Sequence, residues 1–105
     1  MNAAWMAGLF EGEGCITGQM TKGDYYAPRL ALKMTDFDVV KKFASMADCG
    51  HLYLEKRQKP HYKPAIRWSC TKSRDVYRIL ETMLPYFGER RSFKALNLLD
   101  TIDKC

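Results

Sequence analysis

The chain has 105 residues, of which 47% are hydrophobic, and it carries a net charge of +5. This length excludes two full domains, this composition excludes a disordered polar tail, and no apolar run reaches the roughly 18 residues of a membrane span. The amino terminus lacks the basic region of a signal peptide, so we expect one intracellular domain over residues 1–105, cytoplasmic or organellar and not secreted.

The first predicted element is a helix over residues 2–12, opened by Asn2 and ended by nearby glycines. Small residues recur in it at every fourth position, at Ala4, Gly8 and Gly12. A glycine within a helix costs about 0.5–1 kcal/mol relative to alanine, so two of them on one stripe indicate the close approach of another backbone. We therefore predict a helix–helix contact along this stripe.

Two predicted hairpins follow the first helix. Alternating apolar residues predict strands at residues 15–21 and 27–34 around a turn at 22–24, and a second pair at 51–57 and 62–70. Because successive side chains of a strand point to opposite faces, one set should face a core and the other solvent. The inward set is Leu30, Leu32, Met34, Ile66, Trp68 and Cys70.

A helix is predicted after each hairpin, and another at the carboxyl end. Thr35 is expected to cap the first of these helices and Ser73 the second. After a break at Pro85, the last helix should cover residues 91–104. That helix carries Phe93, Leu96, Leu99 and Ile102 along one side, and the aromatic residues expected in the core are Trp5, Phe37, Phe43, Trp68 and Phe93.

The predicted order is αββαββα plus a terminal helix, an α+β fold whose antiparallel hairpins are backed by helices on one side. The free sheet face can lie in the major groove of DNA. Charge favours a polyanion as partner, since residues 51–105 carry twelve Lys and Arg against six Asp and Glu, although a basic face that meets only water is the alternative. The residues expected to contact DNA are Thr17, Gln19, Thr21, Lys22, Arg29, Lys33, Tyr53, Glu55, Arg57, Lys59, Lys63, Arg67 and Ser69.

The segment WMAGLFEGEG at residues 5–14 is the most informative in the chain. Its last nine positions resemble the LAGLIDADG motif, with Met6 for the leading leucine and Phe10 for the isoleucine. Gly12 stands for the second alanine, and Glu11 and Glu13 stand for the two aspartates. The fold of that family, αββαββα with trailing helices, agrees with the predicted order. The resemblance implies a homing endonuclease, which cuts double-stranded DNA in the mobility of an intron or intein.

The resemblance also implies a divalent metal ion at Glu13. A carboxylate at the carboxyl end of a helix faces the negative end of the helix dipole at a cost of about 0.3–1 kcal/mol, so a cation beside it is favoured. In the family, the position of Glu13 binds metal together with the backbone carbonyl at the position of Gly12, and oxygen ligands suit Mg²⁺ or Mn²⁺. Glu11 is implied to be structural, bracing the paired helix.

Three further positions carry over as catalytic: Asp36, Arg90 and Arg91. Asp36 matches a polar site that orders water near the scissile phosphate, but an acid stabilised at a helix start gives the same pattern. Arg90 or Arg91 falls where family members often place an active-site lysine. Since arginine does not lose its proton in proteins, its role there is to stabilise charge.

A homodimer is expected, because one motif gives one active centre while a duplex has two strands to cut. The small-residue stripe can contact its own copy across a two-fold axis. The expected target is a long, roughly palindromic duplex. The predicted interface residues are Ala4, Ala7, Gly8, Glu11 and Gly12.

Two alternatives remain open. Cys49, His51, His61 and Cys70 are zinc-ligand types, but they lack the compact Cys-x₂₋₄-Cys spacing, and reduced, mostly buried thiols are the simpler interpretation. The other alternative is a non-cleaving nucleic-acid-binding protein of the same fold, either a maturase or a regulator.

Overall fold

The computed structural model describes residues 2–20, 26–55 and 63–104. Its elements, in chain order, are α1 (Ala3–Glu13), β1 (Gly14–Met20), β2 (Tyr26–Met34), α2 (Phe37–Ala47), β3 (His51–Glu55), β4 (Ala65–Cys70), α3 (Ser73–Met83), a 3-10 turn (Leu84–Tyr86) and α4 (Glu89–Lys104). The predicted order is confirmed, while the loop at residues 22–24 lies outside the described residues. None of the described helices is long and apolar enough to cross a membrane.

The four strands form one antiparallel sheet in the order β1-β2-β4-β3. Pairing of β2 with β4 joins the two hairpins and places Leu32 opposite Trp68 and Lys33 opposite Arg67. The predicted alternation is confirmed, because Leu32 and Trp68 are buried whereas Lys33 is exposed. β4 begins at residue 65, since Pro64 has no N–H to give to the ladder, and residue 62, where the strand was predicted to begin, lies outside the described residues.

Aromatic side chains connect the helices to the inner face of the sheet. The Phe10 ring of α1 lies 6.1 Å from that of Phe43 of α2, and Phe43 meets Trp68 of β4 edge-on at 4.9 Å. All three are fully buried, and burying a large apolar side chain contributes about 1.5–3 kcal/mol. Trp5 and Phe37 pack against this core while partly exposed.

Two of the predicted helix caps are wrong. Asp36, not Thr35, caps α2, because its Oδ1 accepts the Val39 N–H at 3.3 Å. An ionised carboxylate is a favourable group at the positive end of a helix. Ser73 is the first residue inside α3, Lys72 occupies the cap position, and no side chain caps that end.

The last helix buries only part of the predicted side: Leu99 is buried and Ile102 packs against the core, whereas Leu96 is 52% exposed. It begins at residue 89, two residues earlier than expected, and Phe93 is 70% exposed. The buried residues are Ala95, Leu98 and Leu99, which lie four, seven and eight positions after Arg91. Because Arg91 is anchored on α1, as described below, it sets the rotation of α4 and turns Phe93 away from the core.

Candidate active site and nucleic-acid interface

The two acids of the motif point to different environments. The Glu11 carboxylate accepts the backbone N–H of Gly88 at 2.8 Å through Oε1 and faces Arg91 Nε at 3.4 Å through Oε2. Oε2 is buried without a hydrogen bond, so the positive charge of Arg91 stabilises the negative charge on this oxygen. Gly88 is the residue before α4, and Glu11 therefore fastens the start of that helix to α1.

Arg91 completes this junction. Its Nη2 donates to the Glu11 carbonyl at 2.8 Å and its Nη1 to the Gly14 carbonyl at 3.2 Å. The last carbonyls of a helix lack partners within it and sit at its negative end, so a guanidinium is a suitable cap for them. With its side chain only 18% exposed, Arg91 holds the end of α1 in place.

Glu13 is the last residue of α1, and its side chain is exposed. Among the residues that the structure describes, its carboxylate has neither a hydrogen bond nor an ion pair. The chain passes directly into β1 at Gly14, where a Cβ would overlap the Phe10 ring. Glycine is therefore required at position 14, because the Phe10 ring packs directly against the backbone that follows Glu13.

Asp36 lies at the same end of the sheet as Glu13, where β1 begins and β2 finishes. Gly14 at the start of β1 pairs with Leu32 near the end of β2, and Asp36 follows two residues after that strand. Its side chain is exposed, while Oδ1 accepts the Val39 N–H. The helix-cap interpretation of Asp36 thus has a contact in the structure to support it.

The outer face of the sheet carries a basic row near this end. Lys33 of β2 lies opposite Arg67 of β4, which in turn lies opposite Tyr53 of β3. Arg67 lies over the Tyr53 ring at 5.0 Å and pairs with Glu55 at 3.4 Å. Gly14, the residue after Glu13, pairs with Leu32, the neighbour of Lys33, so Glu13 and this basic row lie toward the same end of the sheet.

One side of α1 is exposed and built of small residues. Ala4, Gly8 and Gly12 are all exposed, and a Cβ added at either glycine would meet nothing within 4 Å. Nothing in the described packing of the chain therefore requires glycine at these two positions. Ala7 differs, because it is completely buried in the core of the chain.

A family model described as LAGLIDADG endonuclease matches residues 6–102. This chain belongs to the LAGLIDADG endonuclease family. Among curated proteins, no match was found.

Several solved LAGLIDADG-type structures share the fold. I-CvuI in complex with its target in the presence of Ca superposes with a TM-score of 0.78 at 21% identity, over 97% of this chain and 66% of that one. I-TnaI gives 0.74 at 15% identity, over 98% and 72%. I-GzeII in complex with its DNA target gives 0.77 at 20% identity, over 97% and 35%. The chain thus spans 66% of the length of I-CvuI and about a third of I-GzeII.

The LAGLIDADG fold brings together only part of the predicted catalytic set. Glu13 and Asp36 share one end of the sheet, and Arg90 is exposed beside the α1–α4 junction. Arg91 is a correction, because its guanidinium is occupied by α1 carbonyls and by Glu11. Its role in the structure is to position the end of the motif helix.

The predicted interfaces need three corrections, the first of which is Glu11: its carboxylate is bound by Gly88 and Arg91 of its own chain and not by a paired helix. Ser69 faces the outer side of the sheet but is only 8% exposed between its neighbours, which leaves little of it for DNA. Ala7 is buried, so it does not belong to the exposed stripe. The outer face is otherwise confirmed as exposed at Thr17, Arg29, Lys33, Tyr53 and, before β4, Lys63. Thr21, Lys22, Arg57 and Lys59 lie outside the described residues, as does the side chain of Gln19.

Sequence reasoning missed the partner of Glu11. Gly88 lies just before α4, and its N–H is the group that the Glu11 carboxylate binds. The two residues are 77 positions apart, and no local pattern connects them. The available signal was the unpaired first turn of a helix that begins with Glu89 and has no capping side chain before it.

Proposed function

We propose that this chain is a homodimeric DNA endonuclease that requires a divalent metal ion at Glu13. The observation that carries the proposal is the contrast between the two motif acids. Glu11 is bound within the chain, whereas Glu13 is exposed at the negative end of α1 and has no partner among the described residues. A carboxylate in that position is stabilised by a cation.

The donor set at the end of α1 suits a hard cation. Glu13 offers carboxylate oxygens and Gly12 a backbone carbonyl, and both are hard oxygen donors. Oxygen ligands with several sites left to water and phosphate are typical of Mg²⁺ in nucleases. Such an ion lowers the pKa of an attacking water and stabilises negative charge on the phosphate. Glu13 and Gly12 are therefore the proposed metal-binding residues.

The exposed stripe on α1 supports the homodimer. A two-fold contact along Ala4, Gly8 and Gly12 lets two helices approach closely, since neither glycine carries a side chain. The stripe ends at Gly12, directly before Glu13, so pairing there brings two Glu13 carboxylates to one place. Two centres close to the dimer axis are what cleavage of both strands of a duplex requires.

The basic row supports DNA as the substrate. Like charges directly opposite each other on a sheet are destabilising, and Lys33 faces Arg67 on the exposed side. A phosphate backbone relieves this repulsion and releases counterions from the duplex. Three solved structures, two of them of I-CvuI and one of I-GzeII, are described as complexes with a target, and one of these as containing Mg with DNA not cleaved. We further propose a long, roughly palindromic target and a role in intron or intein mobility inside the cell.

A cleavage selection tests this function. A randomised duplex library is incubated with the protein in Mg²⁺ or Mn²⁺, and the cut products are sequenced. We compare Glu13→Gln, which keeps the shape of the side chain, with Glu81→Gln, an exposed acid of α3 far from the motif in sequence. Cleavage by the parent and by E81Q, with binding but no cleavage by E13Q, supports the proposal.

Two results contradict it. Equal cleavage by E13Q and the parent removes Glu13 from the chemistry. A parent protein that shifts DNA in both metals without cutting it instead supports the non-cleaving alternative, a maturase or a regulator.

A further inference from the structure

Three metal-ligand side chains from separate segments meet on the helix side of the sheet, away from Glu13. Cys49 lies between α2 and β3, Cys70 ends β4, and Asp75 lies in the first turn of α3. Their ligand atoms all lie within 4.8 Å of one another. Cys70, the last residue of β4, pairs with Leu30, whereas Gly14, next to Glu13, pairs with Leu32. The carboxyl end of β4 therefore points away from the end of the sheet that carries Glu13.

The spacing of the two sulfurs fits a shared metal ion. Cys49 Sγ and Cys70 Sγ are 3.9 Å apart. A tetrahedral ion with Zn–S bonds of about 2.3 Å separates two sulfur ligands by about 3.8 Å. A disulfide requires sulfurs about 2.05 Å apart, so this pair would first have to approach by almost half its separation. The geometry is therefore that of a metal-ready thiol pair.

The backbone around Cys49 is held in place. Its neighbours Asp48 and Gly50 both have positive φ, 56° and 85°, and its carbonyl accepts the Trp68 Nε1–H at 2.8 Å. A Cβ at position 50 would lie 2.6 Å from that same nitrogen, so glycine is required in the turn. Because Trp68 is completely buried, Cys49 is fixed to a rigid part of the core.

A divalent ion together with Arg78 offsets the negative charge of the three ligands in this cluster. Burial raises the pKa of the Cys49 thiol and raises the pKa of Cys70 to about 12, so both thiols carry protons at neutral pH. Two thiolates and Asp75 with one divalent ion leave a single negative charge. Arg78, whose Nη2 donates to the Ala47 carbonyl at 2.8 Å, stands close enough to act on Cys49 and offsets that charge.

We propose that Cys49, Cys70 and Asp75 form a zinc site. Binding replaces the two thiol protons by Zn²⁺, forms two Zn–S bonds and one Zn–O bond, and releases two protons to solvent. The fourth position opens to the cleft beside the cluster and takes a water molecule. Thiolate ligands select zinc over the Mg²⁺ proposed at Glu13. The ion ties the α2–β3 turn to the end of β4 and the start of α3.

Cobalt substitution tests the site without any need for DNA cleavage. The reduced, metal-free protein is titrated with Co²⁺, and the thiolate-to-cobalt charge-transfer absorption is recorded, followed by displacement with Zn²⁺ in weak buffer to count released protons. We expect one ion per chain, absorption typical of tetrahedral coordination, and two protons released per ion. Cys15→Ser, which removes an exposed thiol outside the cluster, should bind like the parent.

Variants decide whether these residues hold the ion. Cys49→Ser should lose the charge-transfer absorption, and Asp75→Asn should weaken Zn²⁺ binding about 10-fold or more. Asp75 is only partly buried, so D75N keeps the test valid if C49S fails to fold. A parent that binds no Co²⁺, or a D75N protein with unchanged affinity and spectrum, overturns the proposal. Either result leaves the Glu13 site untouched.

Discussion

The Glu11 carboxylate accepts the N–H of Gly88 at 2.8 Å and thereby joins the motif helix to the start of the last helix. This contact separates two acids that stand only two residues apart in the sequence. Glu11 secures the geometry of the fold, and Glu13 remains available at the helix end. The distinction gives a stability experiment that is independent of any DNA target.

Replacing Glu11 by alanine should destabilise the chain by about 1–3 kcal/mol. The substitution removes the acceptor of the Gly88 N–H and the ion-pair partner of Arg91, and a hydrogen bond to a charged group contributes about 1.5–3 kcal/mol. Urea unfolding followed by circular dichroism measures the change. Glu13→Ala is the matched control and should leave the midpoint nearly unchanged, since Glu13 has no partner among the described residues. Equal losses in the two variants would contradict the assignment.

Arg91→Lys should destabilise the protein almost as much as Arg91→Ala, by about 2 kcal/mol. Lysine keeps the charge, but it cannot reach the Glu11 and Gly14 carbonyls and the Glu11 carboxylate from one planar group. The neighbouring Arg90→Ala variant controls for lost charge and should shift stability within about 0.5 kcal/mol. Thermal unfolding of the three variants checks this, and full rescue by lysine would show that charge alone matters at position 91.

Gly8→Ala should act in opposite directions on the monomer and the dimer. Because a Cβ at Gly8 meets nothing within 4 Å, the helix gains about 0.5–1 kcal/mol from the substitution. In the proposed dimer the same methyl group separates two closely packed backbones and weakens self-association. Sedimentation measures association, and unfolding at high dilution measures the monomer. A control substitution at Arg74 of α3, which is also exposed and lies on a different helix, should not affect association. Undiminished dimerisation of Gly8→Ala would remove this stripe from the interface.

The sequence was sufficient for the order of elements because the apolar periodicity is strong in each of them. It was also sufficient to find Glu13, since the motif is contiguous and ends where a glycine must stop the helix. The sequence did not predict features that depend on contacts between residues far apart in the chain. The rotation of α4 depends on Arg91 meeting α1, and the thiols of Cys49 and Cys70 meet only because β3 and β4 pair, 21 residues apart. Neither contact leaves a local pattern.

Arg67→Ala should reduce the salt dependence of DNA binding. Each phosphate contact contributes roughly 0.9 to the slope of log K against log salt, so losing one cation of the basic row lowers the slope by about that amount. Arg67 is only partly exposed and pairs with Glu55, hence Lys33→Ala on the same row is the second variant. Lys41→Ala on α2 is exposed and not on the sheet, and it serves as the control. Binding isotherms at several salt concentrations measure these slopes. Equal slopes in the parent and the three variants would show that DNA does not bind at the basic row.

The raised pKa of Cys70 predicts a loss of stability in alkali. Burial favours the neutral thiol, so the pKa is about 12 in the folded chain against an ordinary value of 9.0. A group whose pKa is raised on folding stabilises the fold fully below pH 9, and this contribution is lost as pH rises from 9 toward 12. With a chelator present, the free energy of unfolding should fall by up to about 1.4 kcal/mol per pH unit from this group. Cys70→Ser lacks that slope, while Cys15→Ser keeps it, because the Cys15 thiol is exposed. Identical slopes in C70S and the parent between pH 9 and 11 would show that the Cys70 thiol is not desolvated in the folded chain.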